Sequence, residues 1–194
     1  VSSVVETYRV FVAIELPRAV RAKVIEHIEQ LRRIVPDARA SWSREHNLHL
    51  TLKFLGNVPV SEIPKVSDAV ARAVTAIKPF AITVARCGVF PPKGRPNVLW
   101  LGVENRTSEL NGLYRQIEDE CSKAGFAREQ RTLHPHLTIA RLRKHGDERH
   151  LTEVHEKLGF ASETFSVSEL VVFKSELLRE GSKHTPISRH SLQK

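Results

Sequence analysis

Leu48-His49-Leu50-Thr51-Leu52-Lys53-Phe54-Leu55, read together with its echo Leu133-His134-Pro135-His136-Leu137-Thr138-Ile139, decides how this chain folds. Both stretches are apolar and strand-prone, and along a strand successive side chains alternate between faces. His49 and Thr51 therefore share a face, as do His136 and Thr138, while Leu50, Leu52, Leu137 and Ile139 point the other way into a core. The pattern His, apolar, Thr, apolar is displayed twice. Two imidazoles with two hydroxyls suit proton transfer at an oxygen-rich, charged substrate, because one ring can remove a proton while the other supplies one. Phosphate is the leading candidate. A single copy of so short a motif would say little, but two copies in matching contexts argue against coincidence.

Working outward, Tyr8 to Ile14 reads as a first strand, and Pro17 opens a helix with Val20, Val24, Ile28 and Leu31 on its apolar face and Ile25 beside it, closed by Pro36. After the first His/Thr strand, Asn57 to Glu62 reads as a loop. Ile63, Val66, Val70, Val74 and Ile77 then recur at helical spacing up to Pro79. Phe80 to Val84 and Val98 to Val103 read as strands of a hairpin around the turn-rich Pro91 to Pro96. Leu110, Leu113, Ile117 and Cys121 form a third helical stripe ended by Gly125. Downstream, Leu151 to Leu158 is a weaker helix, Phe165 to Phe173 one strand, and a short strand is expected near Ile187. Strand and helix thus alternate twice, with one His/Thr strand in each half. The expected architecture is α+β: two related α/β lobes with mainly antiparallel sheets, facing each other across a groove. No Gly/Ser tether separates the halves, so residues 1–194 are read as a single domain of two intimately packed lobes.

At 194 residues the chain can bury a real core without staples. Its two cysteines, Cys87 and Cys121, lie far apart among apolar neighbours, which favours neither a disulfide nor a cysteine-based metal site and suits a reducing, cytoplasmic setting. No apolar stretch approaches the roughly 20 residues needed to span a bilayer. The opening Val1 to Val5 lacks the basic region of a leader peptide. A soluble, membrane-free monomer is therefore expected. The formal net charge of +8 favours a polyanionic partner, nucleic acid above all, against the plainer alternative of a basic surface that only aids solubility.

Beyond the two motifs, Arg9-Val10-Phe11-Val12-Ala13-Ile14, His49 to Gly56, Val98-Leu99-Trp100-Leu101-Gly102 and His134 to Arg141 resemble the 2H phosphoesterases, and among them the RNA 2',3'-cyclic phosphodiesterases also called 2'-5' RNA ligases. The likeness spans nearly the whole chain. It implies a two-lobed fold with the motifs facing across a central cleft, chemistry without metal or other cofactor, and opening of a terminal 2',3'-cyclic phosphate on RNA to a 2'-phosphate. It also implies His49 as the acid at the departing 3'-oxygen and His136 as the base for water, an order that the near symmetry of the motifs leaves reversible. The reverse reaction, 2'-5' ligation, would use the same residues. A protein that binds RNA ends without cleaving them is the alternative reading.

Imidazole suits both catalytic tasks because its ordinary pKa, about 6.5, leaves both protonation states accessible near neutrality. Thr51 and Thr138 would donate to the non-bridging phosphate oxygens, against the plainer reading that Thr favours strands. Lys53 has the parity of His49 and Thr51, so it either lines the groove or is a solvated strand-end lysine. The resemblance points to Arg141 as a phosphate ligand, yet its parity is opposite to His136 and Thr138, so it needs a bulge or a strand end to turn inward. Phe11 and Phe54 offer rings for stacking on a terminal base, or for the core. Lys93-Gly94-Arg95 and the run Arg141, Arg143, Lys144 would track RNA phosphates or merely be solvated. His134 and His136 share parity and could hold a metal, but no third ligand is apparent nearby. His46, His145, His150, His155, His184 and His190 stand among polar residues and are expected in solvent.

Overall fold

The computed structural model describes residues 5–143, 147–179 and 181–193. Two sheets carry the chain, and every pairing among the described strands is antiparallel. In one, β1 (Thr7–Glu15) lies between β3 (His49–Pro59) and β8 (Glu169–Leu178), with β9 (Gly181–Ser191) outside β8. The other runs β2 (Ala40–Trp42), β6 (His136–Leu142), β5 (Val98–Glu104), β4 (Phe80–Phe90), β7 (Glu163–Val167). Each sheet therefore holds one His/Thr strand.

Helices cover one face of each sheet. α2 (Ile63–Val74) packs on β8 and β9, and α3 (Glu109–Lys123) packs on α2 and β3; α4 (Glu148–Leu158) packs on β4 and on α1 (Arg18–Ile34). The strand alternation explains this: Val10, Val12, Ile14, Leu50 and Leu52 in one sheet, and Ile82, Val84, Leu99, Leu101, Leu137 and Ile139 in the other, are buried beneath the helices. Fully burying such a side chain contributes about 1.5–3 kcal/mol. The stripe Val20, Val24, Ile28, Leu31 seals α1 as expected, and Leu110, Leu113, Ile117, Cys121 seals α3 ahead of Gly125 at φ +93°. One buried cluster joins the two halves. Phe11, Ala13, Val171 and Phe173 form a separate apolar patch on the uncovered face of the first sheet.

The structure departs from the sequence reading at several elements. Residues 57–59, expected in a loop, continue β3 because β1 offers pairing partners down to Thr7 opposite Pro59. The stretch read as one strand from Phe165 to Phe173 is two, β7 and β8, which break at Ser168 and enter different sheets. β2 went unseen, being only Ala40–Trp42. The terminal strand is β9, eleven residues long. Among the described residues no helix is long and apolar enough to cross a membrane.

Candidate active site

The two histidine strands meet where the sheets join. Ser43, just beyond β2, donates its backbone N–H to the carbonyl of Ile139 (2.8 Å) and its hydroxyl to the carbonyl of Thr138 (2.7 Å), both in β6. A short helical turn, Glu45–Asn47, then delivers the chain into β3 at His49. The entry to the first motif is thus stitched to the backbone of the second.

Both motifs carry the same irregularity. Val12 pairs with Lys53 but Ala13 with Thr51, leaving Leu52 as an extra residue; Leu99 pairs with Ala140 but Trp100 with Thr138, leaving Ile139 extra. A bulge inverts the alternation beyond it. The final apolar residue of each His-apolar-Thr-apolar run is the bulge, so Lys53 and Ala140 turn to the covered side and Phe54 and Arg141 to the histidine side. Burial follows: Lys53 is 2 % exposed and Phe54 63 %. This supplies the turn that Arg141 required.

It also corrects the groove-lining expectation for Lys53. Its Nζ donates to both carboxylate oxygens of Glu118 on α3, at 2.8 and 2.9 Å, and to the carbonyl of Ala127 at 2.8 Å. It is a buried tie between strand and helix. Phe11 is corrected as well. At 2 % exposure it offers no face to a base. Its ring instead lies under the His49 imidazole, centroids 4.8 Å apart and planes 28° from parallel, with Phe173 stacked at 5.2 Å. His184 of β9 stands edge-on to both Phe11 (4.9 Å) and His49 (5.0 Å). Expected in solvent, His184 belongs to the site, brought there by the pairing of Ser175 with His184 beside Phe173. No local signal could have found it.

The second histidine has its own ring cage. Phe90 meets His136 edge-on at 5.0 Å, and Trp100 lies 5.3 Å from Phe90 and 6.5 Å from His136. The indole can lie against β4 because residue 88 is glycine: a Cβ there would stand 2.2 Å from Trp100 Cζ2.

A carbonyl two residues back acts on each ring. His136 Nδ1–H donates to the carbonyl of His134 at 2.6 Å, which leaves Nε2 with its lone pair in the neutral ring. At His49 the Asn47 carbonyl, again two residues back, favours the protonated ring. Burial pushes the His49 pKa down to about 4, His184 pushes the same way, and the Asn47 carbonyl opposes. Burial likewise holds His136 below the usual imidazole range; the His134 carbonyl opposes this, while the charges of His134 and Arg141 add to it. Both imidazoles are therefore neutral bases in the free protein at neutral pH. Among the described residues the Thr51 and Thr138 hydroxyls and the Arg141 guanidinium have no hydrogen-bond partner within the chain, so they are open to an anion.

The remaining basic and histidine candidates scatter. Arg95 is paired with Glu148 at the start of α4, and Arg143 donates to the Ser41 hydroxyl. Lys144 and His145 lie outside the described residues. The His134 side chain is exposed, and its carbonyl holds the His136 ring. His155, expected in solvent, is fully buried.

The family model described as the 2'-5' RNA ligase superfamily matches residues 17–177. The chain is 34 % identical over 173 residues to the RNA 2',3'-cyclic phosphodiesterase of Thermotoga maritima, covering 89 % of each. It is 31 % identical to the protein of the same name from Methanothermobacter thermautotrophicus, covering 91 % of this chain and 95 % of that one. Among solved structures, a Thermus thermophilus protein superposes with TM-score 0.79 at 25 % identity, over 95 % and 98 % of the two chains. LigT of E. coli complexed with 3'-AMP superposes with TM-score 0.74 at 27 % identity, over 97 % and 100 %.

Proposed function

The chain belongs to the 2'-5' RNA ligase superfamily, and we propose from that membership that it is an RNA 2',3'-cyclic phosphodiesterase whose two histidine strands open the terminal cyclic phosphate. The observation that carries this reading is the twinned display: in both sheets His and Thr share the uncovered face, and a bulge at the same motif position adds Phe54 to one and Arg141 to the other.

Hydrolysis needs a water oxygen driven at phosphorus in line with the departing ribose oxygen. His136 takes the water proton through Nε2, the P–O3' bond breaks, and His49 gives its proton to O3', leaving a 2'-phosphate. Both rings are neutral in the free protein, so the acid acquires its proton with the substrate: a phosphate anion beside a buried imidazole favours the imidazolium. Thr51, Thr138 and Arg141 bind the non-bridging oxygens and stabilise the charge that grows there. Phe54, exposed at the rim, takes the terminal base by stacking, worth ~1–3 kcal/mol for any base. Run backwards with a 5'-hydroxyl in place of water, the same groups form a 2'-5' linkage. The basic surface draws RNA ends in, and a relative that holds 3'-AMP fits a site for nucleotide termini. We take the protein to act as a single-domain monomer, and its two free thiols suit the reducing cytoplasm.

The test is incubation with an oligoribonucleotide ending in a 2',3'-cyclic phosphate, with and without EDTA, and identification of the product's terminal phosphate. An EDTA-resistant 2'-phosphate is expected. A 3'-phosphate would reverse the substrate's orientation, binding without product would favour the RNA-end-binding alternative, and loss of turnover with EDTA at an unchanged thermal midpoint would sink the two-histidine mechanism.

A further inference from the structure

On the helix-covered face of the five-stranded sheet, away from both motifs, three metal-binding side chains converge from three elements: His27 of α1, Cys87 of β4 and His155 of α4. His27 is 5 % exposed and His155 fully buried. One ligand atom from each, two ring nitrogens and Sγ, lie within 4.8 Å of one another. His27 Nε2 and His155 Nδ1 are 3.1 Å apart. A tetrahedral ion held at about 2.0–2.1 Å from nitrogen and about 2.3 Å from sulfur sets N···N near 3.3 Å and N···S near 3.6 Å. The nitrogens already stand at about that spacing, and the sulfur needs to close by little more than about 1 Å.

Two further features prepare the site. Arg86 is the one non-glycine residue with positive φ among those described, at 60°, and is the extra residue between the pairs Ala85/Gly102 and Cys87/Leu101. That bulge turns Cys87 onto the face of Ile82 and Val84, towards the helices; without it the thiol would point to the opposite face. Backbone in this region is strained for a residue with a side chain, a cost that functional sites recurrently carry. The second is the tautomer. His155 Nε2–H donates to the Trp100 carbonyl at 3.1 Å, which leaves Nδ1 with its lone pair aimed at His27. A ring held through its far nitrogen by a carbonyl is how metal-binding histidines are oriented.

We propose that His27, Cys87 and His155 bind a thiophilic divalent cation of the zinc class, clamping α1 and α4 to β4 independently of the phosphodiesterase chemistry. Binding forms two metal–nitrogen bonds and one metal–sulfur bond. The thiol proton leaves to solvent, and the His27 ring proton moves from Nε2 to Nδ1. Cys87 is only half-buried, so water reaches the fourth position.

The experiment is to strip the purified protein with chelator, load it with Zn²⁺ or Co²⁺, desalt, and measure metal content, optical spectrum and thermal midpoint. One equivalent per chain is expected, with a thiolate-to-cobalt charge-transfer band and a raised midpoint. Cys87→Ser and His27→Gln should weaken Zn²⁺ binding by more than about 100-fold, while His49→Ala and His136→Ala keep the full equivalent. Less than a tenth of an equivalent in the wild type, a cobalt spectrum without the thiolate band, binding untouched by Cys87→Ser, or binding lost in His136→Ala would each overturn the proposal. Because the readouts are metal content and spectrum, they stand or fall apart from turnover.

Discussion

Phe54 and Arg141 are structural counterparts: each follows its motif histidine by five residues, and each is turned to the histidine face by a bulge at the motif's last apolar residue, Leu52 or Ile139. One sheet thereby supplies an aromatic face and the other a guanidinium, the two things a nucleotide terminus presents partners for. Phe54→Ala should raise KM by about 5–150-fold, from the loss of ~1–3 kcal/mol of stacking, with kcat and thermal stability little changed because the ring is exposed. Arg141→Gln should instead lower kcat. Steady-state kinetics on a cyclic-phosphate oligonucleotide separates the two, and a Phe54→Ala enzyme with unaltered KM would remove the stacking role.

His49→Ala and His136→Ala should each lower kcat by ~10²–10⁴ with the fold intact, the cost of losing a positioned acid or base. Thr138→Val, which keeps the shape of the strand but removes a donor, should cost ~10²–10³ in kcat. Single-turnover rates beside circular dichroism of each variant check this. Near wild-type turnover in either alanine variant is incompatible with the mechanism.

Lys53→Met should destabilise the protein by about 3–5 kcal/mol, because it strands the Glu118 carboxylate, whose side chain is 6 % exposed. Glu118 also accepts from the Glu129 backbone N–H at 3.0 Å, so the loop after α3 should loosen with it. Pairing Lys53→Met with Glu118→Leu should restore much of the loss. Urea unfolding of the three variants makes the comparison, and a double variant no better than the single would refute the buried-charge account.

His184→Phe keeps a ring against Phe11 and His49 but removes the charge that lowers the His49 pKa. That pKa should rise from about 4 towards 6.5 without reaching it, since burial is the larger cause. An NMR titration of the His49 ring reads the shift, and the limb of the kcat/KM profile governed by His49 should move to higher pH. For stability the sign follows from protons bound. A histidine with a lowered folded pKa stays neutral in the fold while the unfolded chain takes up a proton. Its contribution is full above about pH 6.5 and is lost as pH falls towards 4, and the lowered pKa values of His136, His184 and His190 act in the same direction. The urea midpoint should therefore drop between about pH 7.5 and about pH 5; a flat profile would contradict the burial of these rings.

Gly88→Ala places a methyl where the Trp100 indole lies, 2.2 Å from Cζ2. The ring must move, at about 1–3 kcal/mol, and the Phe90/Trp100 cage around His136 moves with it. A lower thermal midpoint together with a reduced kcat is expected; loss of stability with full kcat would mean that the cage does not position His136.

The sequence by itself determined the two His/Thr strands, the helical stripes of α1 and α3, the hairpin of β4 and β5, and the antiparallel two-lobed plan. Each of these is written in local periodicity, and burial of the apolar face enforces it whatever the rest of the chain does. Only the tertiary structure decided which residues join the motifs beyond their fourth position. A bulge is a property of two paired strands, so alternation counted along one strand put Lys53 on the histidine face and left Arg141 facing away, and pairing with β1 and β5 inverted both. His184, His155 and Cys87 were beyond local reading for the same reason: their neighbours come from β1 and β3, from α1, and from α4, tens of residues distant in the chain. Periodicity fixes a face within an element; only packing between elements decides what that face meets.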